Sequence, residues 1–196
     1  MKKFAWLYLL LFVASGELLP TVAFAHVGVG EASGFLDGLM HPVSGLDHIC
    51  AMVAVGLWAA QMGVRSIWAV PITFVSVMVS GWMLGVSGIS MPFAELGIML
   101  SVLMLGVFIA TSVRLPLWLS SAIVGLFAMC HGHTHGTEMP GSTSSMMYAY
   151  GFILSTVFLH IVGVTFGLGM HRQAQKLIVR LAGASIAIFG LYLAIF

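Results

Sequence analysis

Five of the eight histidines in this 196-residue chain fall in two short stretches, each carrying an acid. The first is His41-Pro42-Val43-Ser44-Gly45-Leu46-Asp47-His48, the second His131-Gly132-His133-Thr134-His135-Gly136-Thr137-Glu138. Neutral imidazole and carboxylate together suit nickel, cobalt or zinc better than magnesium or calcium. His131 and His135 stand at i and i+4, the spacing by which two imidazoles on one helix hold one ion, and Glu138 continues that face. His133 points elsewhere if the segment is helical. The two glycines leave open an unwound segment, which is tolerated at membrane depth where backbone lines a cavity. In the first stretch, positions 41, 44, 45 and 48 share a helical face, with Gly45 leaving room between the imidazoles. On an unbroken helix the two would lie about 10 Å apart. That separation predicts either successive sites or an irregular start to the helix.

The elements that position these residues are apolar. Hydrophobic residues make up 60% of the chain and charged ones 7%, with a mean hydropathy of +1.10. Soluble domains carry roughly a quarter charged residues. The apolar residues fall in blocks near the ~20 residues needed to cross a bilayer. The expected fold is therefore an all-α integral membrane protein with six transmembrane helices after an N-terminal signal peptide. The helices are placed at 38–62, 66–86, 92–112, 115–133, 145–170 and 176–196, punctuated by Gly, Pro and charge. Pro42 is taken as a first-turn residue of the first of them. Residues 1–25 carry Lys2 and Lys3, an apolar Leu7–Val13 stretch and Ala23-Phe24-Ala25, the pattern of a signal peptide cut before His26. Residues 26–196 then form one domain.

With the mature N-terminus outside, Arg65, Arg114, Arg172 and Lys176 all fall on the cytoplasmic side, as the positive-inside rule requires. An even number of helices puts both mature termini in the periplasm of a bacterial inner membrane. On this topology His41, Asp47, His48, Glu95, His131, His133, His135 and Glu138 all lie toward the outer side. An ionisable group deep in a helix costs about 2.5–3.5 kcal/mol to insert. Several converging on one side argue for one shared site.

The paired motifs His41-Pro42-x-x-Gly45-x-Asp47-His48-x-x-Ala51-Met52 and His131-Gly132-x-x-His135-Gly136-x-Glu138 resemble the two signatures of the HupE/UreJ family. The resemblance implies a secretory-targeted nickel or cobalt permease associated with hydrogenase and urease systems. It implies metal-ligand roles for His41, Asp47, His48, His131, His135 and Glu138, and gives none to His133 or Cys130. Glu95, after Met91-Pro92 at a helix start, is either a dipole-complementing cap or a further ligand. His133 is carried with it as a candidate. No tightly bound cofactor is expected; nickel or cobalt would be cargo. The partners expected are the divalent ion and the bilayer, with a homo-oligomer compatible. No basic run suggests nucleic acid.

Other residues have quieter readings. His160 is either a hydrogen-bonded packing residue or part of a translocation path. His171, beside Arg172, reads as interfacial, and Asp37, Glu31 and His26 as solvated, although a freed His26 amine and imidazole could capture an ion. Cys50 and Cys130 read as small buried hydrophobes. The methionines are core or lipid-facing filler, although Met40, Met52, Met129 and Met139 flank the motifs and would suit copper(I). Gly81-Trp82-Met83-Leu84-Gly85 is a small-xxx-small pattern that lets helices approach. The chain has no G-x-x-x-x-G-K-[ST] loop for ATP and no H-E-x-x-H. The competing classes are a metal-dependent membrane enzyme and a metal-binding accessory subunit of a hydrogenase or urease maturation system.

Overall fold

Pro42 and Gly45 divide the first apolar block. The computed structural model describes the backbone of residues 31–139, 144–170 and 173–196. The expected signal peptide, His26 and His171 lie outside these residues. Within them a helix α1 runs Glu31–Ser44 and a second, α2, runs Leu46–Met62, bent by 80° at Gly45. The continuous helix expected over 38–62 is therefore corrected. Pro42 ends α1 instead of opening α2: it has no N–H to give the carbonyl four residues back, and its ring crowds that turn. Gly45 follows in an extended conformation, φ −107° and ψ 124°, and its carbonyl accepts the first bond of α2 from Ile49 N–H at 3.0 Å.

The remaining helices are α3 Val64–Val86, α4 Ala94–Thr111, α5 Leu117–Glu138, α6 Ser145–Gly169 and α7 Gln173–Ile195. Every regular element among the described residues is helical. Helices α3, α4, α6 and α7 are long and apolar enough to cross a membrane, and the bent α1–α2 pair qualifies as one broken span. The structure also corrects the end of the fourth expected helix. The sequence places that end at 133, whereas α5 continues to Glu138.

Glycines explain why α5 stays helical there. A Cβ on Gly132 would collide with the Met78 carbonyl, and one on Gly136 would sit 2.5 Å from the Trp82 carbonyl oxygen. From the other side, Gly81 meets the Met129 carbonyl and Gly85 that of His133. Helices α3 and α5 thus run parallel with their backbones in contact, and the glycines of the second histidine stretch are half of that seam. The same device joins α2 to α6 through Gly56 and Gly163, and α1 to α6 through Gly38 and Gly151. Without a hydrophobic drive between helices in lipid, such close packing is what associates them.

A fully buried core of Met52, Trp58, Phe74, Met78, Leu105 and Phe152 fills the centre. Large apolar side chains such as Trp68, Trp118, Leu126, Phe158 and Ile188 cover the outside, each 60–71% exposed. That inside-out distribution is the one expected of a surface facing lipid.

Candidate metal site

Four helix ends meet at one end of the bundle. His41 comes from the last turn of α1, His48 from the first turn of α2, His135 and Glu138 from the last turn of α5, and Tyr148 from the first turn of α6. The bend at Gly45 is what makes this convergence work. It folds His41 back so that its ring lies 5.9 Å from that of His48, well inside the spacing of an unbroken helix. Of the two arrangements left open by the sequence, the irregular start is the one found. The His135 ring lies 4.5 Å from each of the other two. One nitrogen from each of His41, His48 and His135 can be chosen so that all three lie within 4.8 Å of one another.

Hydrogen bonding decides which nitrogens are available. His48 Nδ1 lies 2.8 Å from Asp47 Oδ1. An ionised carboxylate only accepts, so Nδ1 carries the proton and Nε2 keeps its lone pair. That Nε2 is buried and has no hydrogen-bond partner among the described residues. Both ring nitrogens of fully buried His135 are also unpartnered. Glu138 Oε2 lies 3.7 Å from His41 Nε2 and 3.9 Å from His135 Nδ1. These gaps are too long for hydrogen bonds. They are close to the ~3–4 Å that separates two ligands each about 2.0–2.2 Å from a shared ion. Three imidazoles therefore come close enough to share one metal ion, with the Glu138 carboxylate beside two of them.

The Asp47 carboxylate engages His48 through Nδ1, an arrangement of the kind that orients a metal-binding histidine. Gly45 makes room for this pair, since a Cβ there would stand 2.6 Å from Asp47 Oδ1 and 2.8 Å from His48 Nδ1. His131 lies one turn deeper on α5, fully buried, its ring 5.7 Å from that of His48. Its Nδ1–H donates to the Phe127 carbonyl at 2.9 Å, which leaves Nε2 as an unpartnered acceptor.

The family assignment now has its geometry. The family model described as HupE / UreJ protein matches residues 13–193. The chain belongs to the HupE/UreJ family. Protein HupE of Rhizobium leguminosarum bv. viciae is 44% identical over 172 residues, covering 88% of this chain and 90% of that protein. No solved structure matches the chain.

In this HupE/UreJ member the remaining candidates stand apart from the three-histidine group. His133 points away from it, as helical spacing implies: its Nε2–H donates to the Ile89 carbonyl at 2.7 Å and ties α5 to the turn before α4. Glu95, in the first turn of α4, makes no cap of its own helix end. It lines a separate cavity of about 420 Å³ with Met91, Phe93, Met99, His133 and Glu138. Glu138 thus borders both that cavity and the cluster. Cys130 sits on the α4 side of α5, where a Cβ on Gly97 would meet its sulfur.

Sequence reasoning missed the aromatic wall. Phe152 lies 4.3 Å from the His135 ring, Tyr148 6.0 Å from that of His41, and Phe74 5.6 Å from that of His131. Aromatics are common in apolar helices, so no local signal marked these three.

Proposed function

We propose that this chain imports a divalent transition metal, nickel or cobalt, across a bacterial inner membrane by secondary transport. The observation that carries this reading is the group of His41, His48 and His135 with Glu138 beside it, at the end of a bundle of apolar helices. A hydrated ion entering there would exchange water for imidazole and carboxylate. Asp47 would hold His48 in the ligating tautomer, and His131 would receive the ion one turn deeper. Glu95, His133 and Glu138 would face it from the adjoining cavity. No tightly bound cofactor is needed, because the membrane potential alone gives a divalent ion about 4.6 kcal/mol per 100 mV.

The topology proposed is six spans after a cleaved signal peptide. The broken α1–α2 pair counts as the first span and α5 as the fourth, its polar last turns lining the path. The basic residues Arg114 and Lys176 line a cavity at the opposite end, and Arg65 opens α3 beside it. This asymmetry supports a cytoplasmic placement of that end and a periplasmic placement of the histidines.

Uptake of radioactive nickel and cobalt into proteoliposomes of the purified protein tests the reading, beside His48→Ala and His135→Ala. Uptake by the wild type, reduced at least tenfold in both variants, is the expected result. No uptake of either metal at neutral pH under an imposed potential would leave a metal-binding accessory subunit as the better account.

A further inference from the structure

His160 lies in the middle of α6, 2% exposed, and neither of its ring nitrogens has a hydrogen-bond partner among the described residues. An imidazole sealed in this way has given up the hydrogen bonds it makes in water, a loss that an apolar ring would avoid. Packing alone is therefore a poor reason for a histidine at this position. Its neighbours suggest a better one. The Phe74 ring stands between two histidines, 5.0 Å from His160 and 5.6 Å from His131. His131 in turn is 5.7 Å from His48, so a column of rings leads from the end cluster to the middle of the bundle.

The column is lined by further soft or polar atoms. Thr156, one turn before His160 on α6, places its hydroxyl 3.8 Å from the sulfur of Met78, one turn after Phe74 on α3. Both side chains are buried. On its other side His160 borders an apolar cavity of about 480 Å³ between α3 and α6, which opens at the lipid-facing surface past the exposed Trp68, Ile72 and Ile161. Pro71 has no N–H to give the Ile67 carbonyl, so that oxygen lacks its helical partner beside the cavity. All the other His, Asp and Glu side chains among the described residues belong to the end of the molecule that carries the cluster, with His131 the deepest. An ion leaving His131 would otherwise face bare hydrocarbon.

We propose that His160 is an inner binding station for the divalent cargo, reached from His131 past Phe74. The proposal rests on the transport reading and adds to it a second site, deeper than the three-histidine group. A ligand at this depth replaces hydration where the surroundings are least polar.

The test uses the full-length protein with His160→Phe, His160→Cys and His48→Ala. Nickel uptake is read in proteoliposomes and cobalt absorption in detergent. His160→Phe keeps a ring of similar size but no ligand. It is expected to lower uptake at least tenfold while retaining the cobalt spectrum of the end cluster. His160→Cys is expected to add a thiolate-to-cobalt charge-transfer band that the wild type lacks, although the wild type contains Cys50 and Cys130. Wild-type uptake by His160→Phe, or no new band in His160→Cys, would overturn the station and return His160 to packing. His48→Ala separates the two readings: if it too transports at the wild-type rate, the end-cluster reading itself has failed.

Discussion

His48 and its neighbour Asp47 show how much of the site depends on single atoms. The carboxylate accepts a hydrogen bond from Nδ1–H, and the opposite nitrogen is left buried with its lone pair free. Replacing Asp47 by Asn keeps the size but removes the charge that fixes the tautomer. Removing such an outer partner typically weakens metal binding about 10–100-fold. A loss of that size in cobalt affinity is expected for Asp47→Asn, read by titration in detergent. An unchanged dissociation constant would show that His48 needs no orienting group. Protons should compete with the ion in the same way. Ligation requires neutral imidazole, so uptake is expected to fall as external pH is lowered below the ordinary imidazole range near about 6.5. A rate that stays flat as far down as about pH 4 would exclude histidine ligation from the slow step.

Among the elements, the seam between α3 and α5 has the strictest demands. Gly81 and Gly85 on one helix face Gly132 and Gly136 on the other, and an added Cβ at any of the four meets backbone oxygen. Backbone cannot turn aside as a side chain can. Gly132→Val should therefore destabilise the protein by at least the ~1–3 kcal/mol typical of overpacking, seen as a lower midpoint of thermal unfolding in detergent. Gly169→Ala is the matched control, because nothing lies within 4 Å of a Cβ there. Equal midpoints for the two would mean that the seam gives way without penalty. The break between α1 and α2 has the opposite logic. A continuous helix would hold the two imidazoles far apart, whereas the 80° bend brings His41 over the start of α2.

Across the whole molecule, polarity is sorted to the two ends. The histidines and acids of both motifs gather at one, while Arg114 and Lys176 border a cavity at the other. Arg180 lies near that second end, its Nε–H donating to the Ala110 carbonyl at 2.7 Å in the last turn of α4. If the basic end is cytoplasmic, a C-terminal alkaline phosphatase fusion should be active and a fluorescent-protein fusion at the same point dark. The reverse pair of results would invert the proposed topology.

The sequence by itself determined the family, the helical class and the residues of the two motifs. It also identified i, i+4 spacing at His131 and His135, a different direction for His133 if the segment is helical, and the close-approach pattern at Gly81 and Gly85. These are properties of composition and of one helix at a time. Three things were decided only by the tertiary structure. Pro42 could open one helix or close another, and the choice depended on α1 having somewhere to dock, which Gly38 and Gly151 supply against α6. Gly132 and Gly136 could unwind α5 or pack it, and the choice depended on the facing glycines of α3. The grouping of His41 and His48 with His135, and the isolation of His160 beyond Phe74, arise between helices distant in sequence. Local rules describe which way a side chain leaves its own helix; which side chains it then meets is set by how the backbones pack.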